Sequence, residues 1–551
     1  MSPVERLAGE FLDEWFAEYP TFASIVGAEG HDGDLGDFSA AAFDRRDRRT
    51  RHWLDTLSAL DGDPSPHDRH DPTDDPAGLD DQVDRDAMIA YLRGELVTAE
   101  VPAWRRDPGM YLLHCLFGVN VLFWHRLYPE PELAAAAESR LRQVPGVLDH
   151  ARRNLDPDLA APLVVRRAAA MATGGAALAR EVVPGEVDDP ALRARLAEAG
   201  AVAGEAFADL AGWLEEFAGK ARGDWRLGER RYTELLRQRE LLDFDAAGLR
   251  EHGWRAYREL DAQMREVAAR VPGGSADWRS VMETLNADHP PTPEAMREEY
   301  ERVTRRARDF LVEHDLVSFG EGEQCLVVPG PVFSRAVNAV ASYLPPPLLR
   351  GVRTGRFNVP YPPGGATDEQ VEQRLRTNSR ASMPTIVAHE AYPGHHWHLS
   401  WLVGMHRPIR AVLGTPFFSE GWGLYAEHVM REHGFFADPA QELAHLDARI
   451  FRAARIVVDT SLHCGDMDLD QAVEFMTTRV SLSAGTARSE VERYCSTPTQ
   501  AAAYLTGALE IERIRARWRE RRPNAPLREF HDALAGTGEL PLGLVERLVL
   551  R

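Results

Sequence analysis

The chain has 551 residues, a formal charge of −22 and 44% hydrophobic residues. That length allows two to four average domains or one large helical assembly, and the negative balance argues against a nucleic-acid or anionic-membrane surface. Four scattered cysteines, Cys115, Cys325, Cys464 and Cys495, form no Cys-x-x-Cys pair, so neither a disulfide framework nor a thiolate metal site is expected.

The N-terminal stretch is amphipathic, with Glu5, Glu10, Asp13 and Glu14, rather than basic and then apolar, and no run of about 18 apolar residues occurs. Neither export nor membrane spanning is expected from this, and the expected location is cytoplasmic. Of 64 basic residues only Lys220 is lysine, a usage that reads as codon bias and carries no mechanism.

The spacing of Leu7, Phe11, Leu12, Trp15 and Phe16 predicts a helix over 4–19 that Pro20 ends, and a second helix follows over 40–60. Residues 61–86 hold ten aspartates and four prolines; the first part reads as a solvated loop, with a helix starting at Asp80. Helical periodicity continues over 81–100, 109–127, 131–154, 158–183 and 188–220. The alanine-rich run Ala168–Ala179 suits close helix packing, with Gly174-Gly175 a weak point inside it. Segments 228–240, 245–271 (with Asp245 as N-cap) and 293–313 complete a half that carries no chemical motif and reads as the walls of a cleft.

The character changes near Gly320. Cys325-Leu-Val-Val-Pro-Gly-Pro and Gly355-Arg-Phe-Asn-Val-Pro are short β-type runs, with Phe333–Tyr343 helical between them. Strands beside a metal helix can hold an extended peptide along an exposed edge. They can equally form a ribbon with no substrate role, and both readings stay open.

Four of the 20 histidines fall between His389 and His398, and Glu390 directly follows the first. Apolar runs on either side (Met383, Ile386, Val387; Trp397, Leu399, Trp401, Leu402) place them on mostly buried helix. Neutral imidazole is the commonest zinc ligand, and a neighbouring glutamate is the usual general base for a metal-activated water. The usual His-Glu-x-x-His spacing sets two histidines at i and i+4 on one face. Here position i+4 is Pro393, and the next histidines are His395 and His396. Six residues of straight helix advance about 9 Å and end about 120° around the axis, so an unbroken helix cannot bring His389 and His395 to one ion. Pro393 lacks the N–H that would bond the His389 carbonyl, and Gly394 accepts unusual backbone angles. The pair reads as a two-residue bulge that returns His395 to the metal face, with His396 the rival ligand. The plain alternative is a kinked helix with core and surface histidines.

A third ligand is offered by Pro416-Phe-Phe-Ser-Glu-Gly-Trp-Gly-Leu-Tyr-Ala-Glu-His428. Ser419 reads as the N-cap with Glu420 in the first turn, either a ligand or an acid favoured by the helix dipole. Glu427 lies about two turns on, suited to bonding a ligand histidine. Further helices are predicted over 437–463, 469–480, 483–494 and 500–517. Arg455, Asp459 and His463 share one face, as a solvated ion-pair row or a buried polar network, and His463 is a candidate donor to a developing oxyanion.

His389-Glu-Ala-Tyr-Pro-Gly-His-His396 followed by Glu420-Gly-Trp-Gly-Leu-Tyr-Ala-Glu427 resembles the signature of a bacterial family long filed as a domain of unknown function. That family is related to the gluzincin metallopeptidases and similar in fold to the thermostable carboxypeptidase Taq type. The likeness extends to Pro20-Thr-Phe-Ala-Ser, Leu227-Gly, Val327-Val-Pro-Gly-Pro, Val458-Asp-Thr-Ser-Leu-His463 and Arg493-Tyr-Cys-Ser-Thr-Pro-Thr-Gln-Ala-Ala-Ala-Tyr504, so it spans most of the chain. The family pattern carries Pro-Gly-Gln where this chain reads Pro498-Thr499-Gln500. The resemblance implies a zinc-dependent peptidase scaffold without naming a substrate. By analogy with related peptidases it makes Tyr504 a second oxyanion donor, a core tyrosine being the plain alternative.

The expectation is therefore a mostly α-helical, cleft-shaped metallopeptidase-like fold with a small β-ribbon near the metal. Residues 1–315 form helical walls and 316–551 the metal-site half of one intertwined unit. Zn²⁺ is expected on His389, His395 and Glu420, with a fourth position for water. Glu390 takes a proton from that water and passes it to the leaving amine, while His463 and Tyr504 face the oxyanion. His396, Glu427 and Asp459 stand as supporting or alternative ligands, and Arg493 pairs with a substrate carboxylate or sits in a structural ion pair. The expected partner is a short peptide substrate; oligomeric state is not legible. The rival readings are a zinc-dependent amide hydrolase or acyl-transfer enzyme on a non-peptide substrate, and a non-catalytic helical scaffold with a structural metal.

Overall fold

A computed structural model describes residues 2–60, 76–331, 335 and 338–551. Among them helices make up nearly all regular structure, with one three-stranded sheet, so the fold is mostly α as the periodicity predicts. No helix among the described residues is long and apolar enough to cross a membrane. The chain divides into two compact units, Met1–Ser65 with Asp81–Leu227, and Pro66–Asp80 with Gly228–Arg551. Residues 315 and 316, where the sequence reading divides the chain, both lie in the second unit.

In the first unit, proline at the first helical turn repeatedly sets where a helix starts, as at Pro3, Pro108, Pro162 and Pro190. Its core draws on Tyr111, Leu112 and Val119 of Pro108–His125, Leu141 and Leu148 of Glu130–Asn154, and Phe207 and Leu210 of Pro190–Ala218. The alanine-rich helix ends at Ala177, shortly after Gly175, and the chain continues as a π turn, Leu178–Val182. The acidic loop expected from Asp61 lies, over residues 61–75, outside the described residues; the following helix begins at Pro76, ahead of Asp80.

The second unit contains every candidate site residue. Its long helices are Ala246–Arg270, with Asp245 accepting from the Gly248 N–H as N-cap, Pro293–Glu313, Pro416–Glu432, Pro439–Cys464 and Gln500–Arg521. Pro416–Glu432 and Gln500–Arg521 meet glycine to glycine. A Cβ on Gly421 would lie 2.7 Å from the Gly507 Cα, and one on Gly507 would lie 1.9 Å from the Phe417 carbonyl oxygen. Larger residues there would push the helices apart, and with them Tyr504 from Glu420.

The sheet has the order β1 (Gln324–Pro329), β3 (Thr354–Val359), β2 (Ser342–Leu344), with β1 parallel and β2 antiparallel to the central strand. The expected helix over 333–343 lies partly outside the described residues, and its last two positions are strand: Ser342 pairs with Asn358 and Tyr343 with Phe357. β-sheet pairing, a non-local interaction, overrides the local helical pattern there.

Thr499, at the start of Gln500–Arg521, has φ +71°. This left-handed region suits glycine and penalises a β-branched residue by roughly 1–2 kcal/mol, and it is the position at which the resembled family carries glycine. Thr499→Gly is therefore expected to raise thermal stability by about 1 kcal/mol, read from the shift of the unfolding midpoint; a lowered midpoint would contradict this account of the turn.

Candidate metal centre

The first ligand helix, Met383–Glu390, does not bulge; it stops. Residues 391–394 are outside helix, the Tyr392–Pro393 peptide is cis, and a new helix, His395–Leu402, restarts at the second histidine. The expected bulge is thus corrected to a full break, but its consequence is the expected one. Pro393 and Gly394 let the chain fold back on the end of the helix. A Cβ on Gly394 would lie 1.8 Å from the His389 carbonyl oxygen, so only glycine fits that return. The Trp422 indole N–H donates to the Pro393 carbonyl at 2.9 Å, bracing the turn from the Glu420 helix.

That helix starts earlier than the sequence suggests. Thr415 is the N-cap, its hydroxyl accepting from the Phe417 N–H, and Pro416 occupies the first helical position. Ser419 is inside the helix, so Glu420 sits in its second turn and is not a dipole-complementing first-turn acid.

His389, His395 and Glu420 converge, with one ligand atom from each lying within 4.8 Å of the others. Glu420 Oε2 is 3.5 Å from His389 Nε2 and 3.4 Å from His395 Nε2. Those separations approximate the edge of a tetrahedron with metal–ligand bonds of about 2.0–2.2 Å. The other nitrogen of His389, Nδ1, lies 2.8 Å from Glu427 Oε1. An ionised carboxylate only accepts, so Nδ1 carries a proton towards Glu427, and Nε2 is the nitrogen that faces the triad and would offer a metal its lone pair once its own proton is displaced. Glu427 therefore lies behind His389, on the nitrogen that faces away from the triad.

Burial penalises charge throughout this cluster, yet the carboxylates win at His389. Burial lowers its pKa, while Glu420, Glu427 and Glu390 hold it at about 10. Burial likewise opposes ionisation of Glu420 and Glu427, but the imidazoles beside them hold Glu420 well below the carboxylate range and Glu427 at about 2. Glu390 is raised, chiefly by burial and also by Glu420, against the pull of His389 and His395. A site that concentrates negative charge around an imidazole otherwise protonated fits a divalent cation, and the donor set of two nitrogens and one oxygen fits Zn²⁺.

Tyr504 stands beside the triad, its ring 6.3 Å from that of His389 and nearly parallel to it. Burial, with Glu420, pushes its phenol up to about 12, so it stays a hydrogen-bond donor at neutral pH. The Arg455 guanidinium lies 4.8 Å from its ring centre. His396 is not at the triad: it is fully buried, Nε2 2.5 Å from Glu323 Oε1 and Nδ1 2.9 Å from the Tyr343 hydroxyl. Both its nitrogens are engaged there, so it is His395, not His396, that joins His389 and Glu420.

The remaining candidates are engaged with other partners. Asp459 is fully buried, accepts from the Tyr232 hydroxyl at 2.5 Å and the Thr499 N–H at 3.0 Å, and lies 3.9 Å from His463 Nε2. Burial pushes its carboxyl up to about 7 against these donors. His463 Nε2 meets the Tyr494 carbonyl at 3.0 Å, so this nitrogen serves the helix packing and not an oxyanion. Arg493 is held by Glu490 at 3.0 Å and by the Gln500 amide oxygen at 2.8 Å, the structural ion pair of the two roles considered for it.

Two contributors were not apparent from sequence. A Cβ on Gly423 would lie 2.5 Å from His389 Cε1, so that glycine makes the space in which the ligand ring sits. His445, fully buried, places Nδ1 3.4 Å from Glu427 Oε2, extending the support behind His389. The alternation Gly421-Trp422-Gly423 was the available signal for the first, and nothing local marks the second.

Proton linkage follows from these shifts. A His389 held at about 10 keeps its proton at neutral pH until a metal displaces it. Zn²⁺ binding at pH 7–8 should therefore release about one proton, and affinity should rise about tenfold per pH unit through pH 7–9. Calorimetry in buffers of different ionisation enthalpy measures this, and binding with no proton release would contradict the assigned electrostatics.

No curated protein matches the chain. Among solved structures, a protein described as a putative lipoprotein of unknown function from Shewanella oneidensis superposes with a TM-score of 0.78 at 18% identity, covering 100% of both chains. A protein described as the putative lipoprotein from Colwellia psychrerythraea gives a TM-score of 0.81 at 18% identity, over 99% of this chain and 98% of that one. At this identity the likeness is one of fold. The expectation of a cytoplasmic location does not stand, since both structures are described as putative lipoproteins. With a match running over residues 20–549, the chain belongs to the DUF885 family of bacterial proteins of unknown function.

Proposed function

We propose that the protein is a zinc-dependent hydrolase that cleaves peptide bonds of short peptides in a carboxypeptidase-like manner. The observation that carries this reading is the convergence of His389, His395 and Glu420 within 4.8 Å, next to a half-buried glutamate in the sequence position of a general base. The resemblance of the two motifs to the signature of a family related to the gluzincin peptidases supports it. Zn²⁺ held by these three residues supplies Lewis acidity and brings the pKa of a water toward about 7.

The chain's own residues do the rest. Glu390 adjoins His389, and burial raises its carboxyl, so it is a stronger proton acceptor than an exposed glutamate. It takes the proton from the attacking water and returns it to the departing amine. Glu427 keeps the His389 proton on Nδ1 and the ring aligned. Tyr504, still protonated at neutral pH, is placed beside His389 to donate to the oxygen on which negative charge develops. His463 is left out of this scheme because its Nε2 is engaged by the Tyr494 carbonyl.

Glu390→Gln preserves size and removes the base. With zinc loaded, it is expected to retain one equivalent of metal while hydrolysis of a library of free-ended di- to tetrapeptides falls by about 10²–10⁴-fold. End-blocked peptides and non-peptide amides run alongside tell carboxypeptidase action from other amide chemistry. Hydrolysis unchanged in the variant, or absent from the zinc-loaded wild type on every peptide, would contradict the proposal.

A further inference from the structure

One atom fastens both flanks of the break between His389 and His395. Tyr392, just before Pro393, donates its hydroxyl to Glu323 Oε1, and His396, just after His395, lies with Nε2 2.5 Å from the same oxygen. An ionised carboxylate accepts only, so both groups donate to it, one from each side of Pro393-Gly394. The His396 tautomer follows: Nε2 carries the proton, and Nδ1 accepts from the Tyr343 hydroxyl at 2.9 Å. The Glu323 side chain is 1% exposed, and its second oxygen lies 3.5 Å from Arg308 Nη2. Removal of this carboxylate would leave buried polar groups without their acceptor.

Glu323 is itself rigidly mounted. Its N–H closes a turn onto the Gly320 carbonyl, and the next residue begins β1, Gln324 pairing with Thr354 of the central strand. Tyr343 projects from β2 opposite Phe357 of that same strand. The small sheet thus reaches the turn through two side chains, Glu323 and Tyr343, that converge on His396. Metal ligands set by supporting groups on rigid elements hold their geometry within fractions of an ångström.

We propose that Glu323 is a positioning residue for the metal centre: its Oε1 staples Tyr392 to His396 across Pro393-Gly394 and so keeps His395 in register with His389 and Glu420. The proposal rests on the reading of the triad as a metal site. Without the staple the turn can relax and the restarting helix can rotate. His395 would then leave the position 3.4 Å from Glu420 that a shared ion requires.

The test uses the full chain and Zn²⁺ alone, with affinity measured by competition against a chromophoric chelator and the thermal midpoint of the metal-free protein measured in parallel. Glu323→Ala is expected to weaken Zn²⁺ binding by about 10–100-fold, and Tyr392→Phe, which removes one of the two donors, by less. The double variant should bind no more weakly than Glu323→Ala, because both changes break one device. Should Glu323→Ala fail to fold, Tyr392→Phe and Glu323→Gln, which retains one acceptor oxygen, carry the same comparison. A residue that served folding alone would lower the metal-free midpoint and leave Zn²⁺ affinity within about twofold of wild type, and that result, or additive single effects, overturns the staple. A wild type that takes up no Zn²⁺ overturns the metal reading, whereas a wild type binding one equivalent with unaltered variants overturns only Glu323's role.

Discussion

One carboxylate oxygen placed about equally far from two imidazole nitrogens, 3.5 and 3.4 Å, is the arrangement on which the rest of the site depends. The two imidazoles are six residues apart, a spacing that a straight helix turns to different faces. The site therefore exists only if the helix is interrupted and restarted with a defined offset. The structure meets that demand with a proline, a glycine that fits where no Cβ can, and contacts from two other segments. Trp422 braces the Pro393 carbonyl, Glu323 fastens both flanks, and Gly423 leaves room for the His389 ring.

The electrostatics follow from that crowding. Glu390, Glu420 and Glu427 are brought with His389 and His395 into a space where burial disfavours each charge alone. Proton sharing between His389 and the carboxylates settles the metal-free balance, and a divalent cation would take the proton's place. The division of labour is physical. Glu420 and Glu427, hydrogen-bonded to imidazole, stay ionised, while Glu390 is raised by burial, the direction that the proposed proton transfer asks of it.

Much of this was legible in residue order, because local rules govern helix ends. Pro293–Glu313 and the Asp245 cap emerge as predicted, and the two ligand motifs were visible from residue type and spacing alone. What could not be read is what distant neighbours decide. Ser419 and Thr415 are both plausible caps, and Pro416 at the first helical position selects Thr415. The stretch ending at Tyr343 reads as helix, yet its end pairs with β3. The i, i+4, i+8 pattern of Arg455, Asp459 and His463 correctly indicates a shared face, but distant neighbours decide that it is buried, with Tyr494 and Thr499 opposite it, rather than a solvated ion-pair row. Glu323 carries no local mark at all, since its partners are 69 and 73 residues away.

The central claim is that two imidazoles and one carboxylate of this chain hold a single zinc ion. The zinc X-ray absorption spectrum of protein loaded with one equivalent tests it most directly. The account predicts a shell of about four nitrogen and oxygen neighbours near about 2.0–2.1 Å, with imidazole scattering that diminishes in His395→Ala. A sulfur shell near about 2.3 Å, an all-oxygen shell, or a spectrum indifferent to His395 would contradict it.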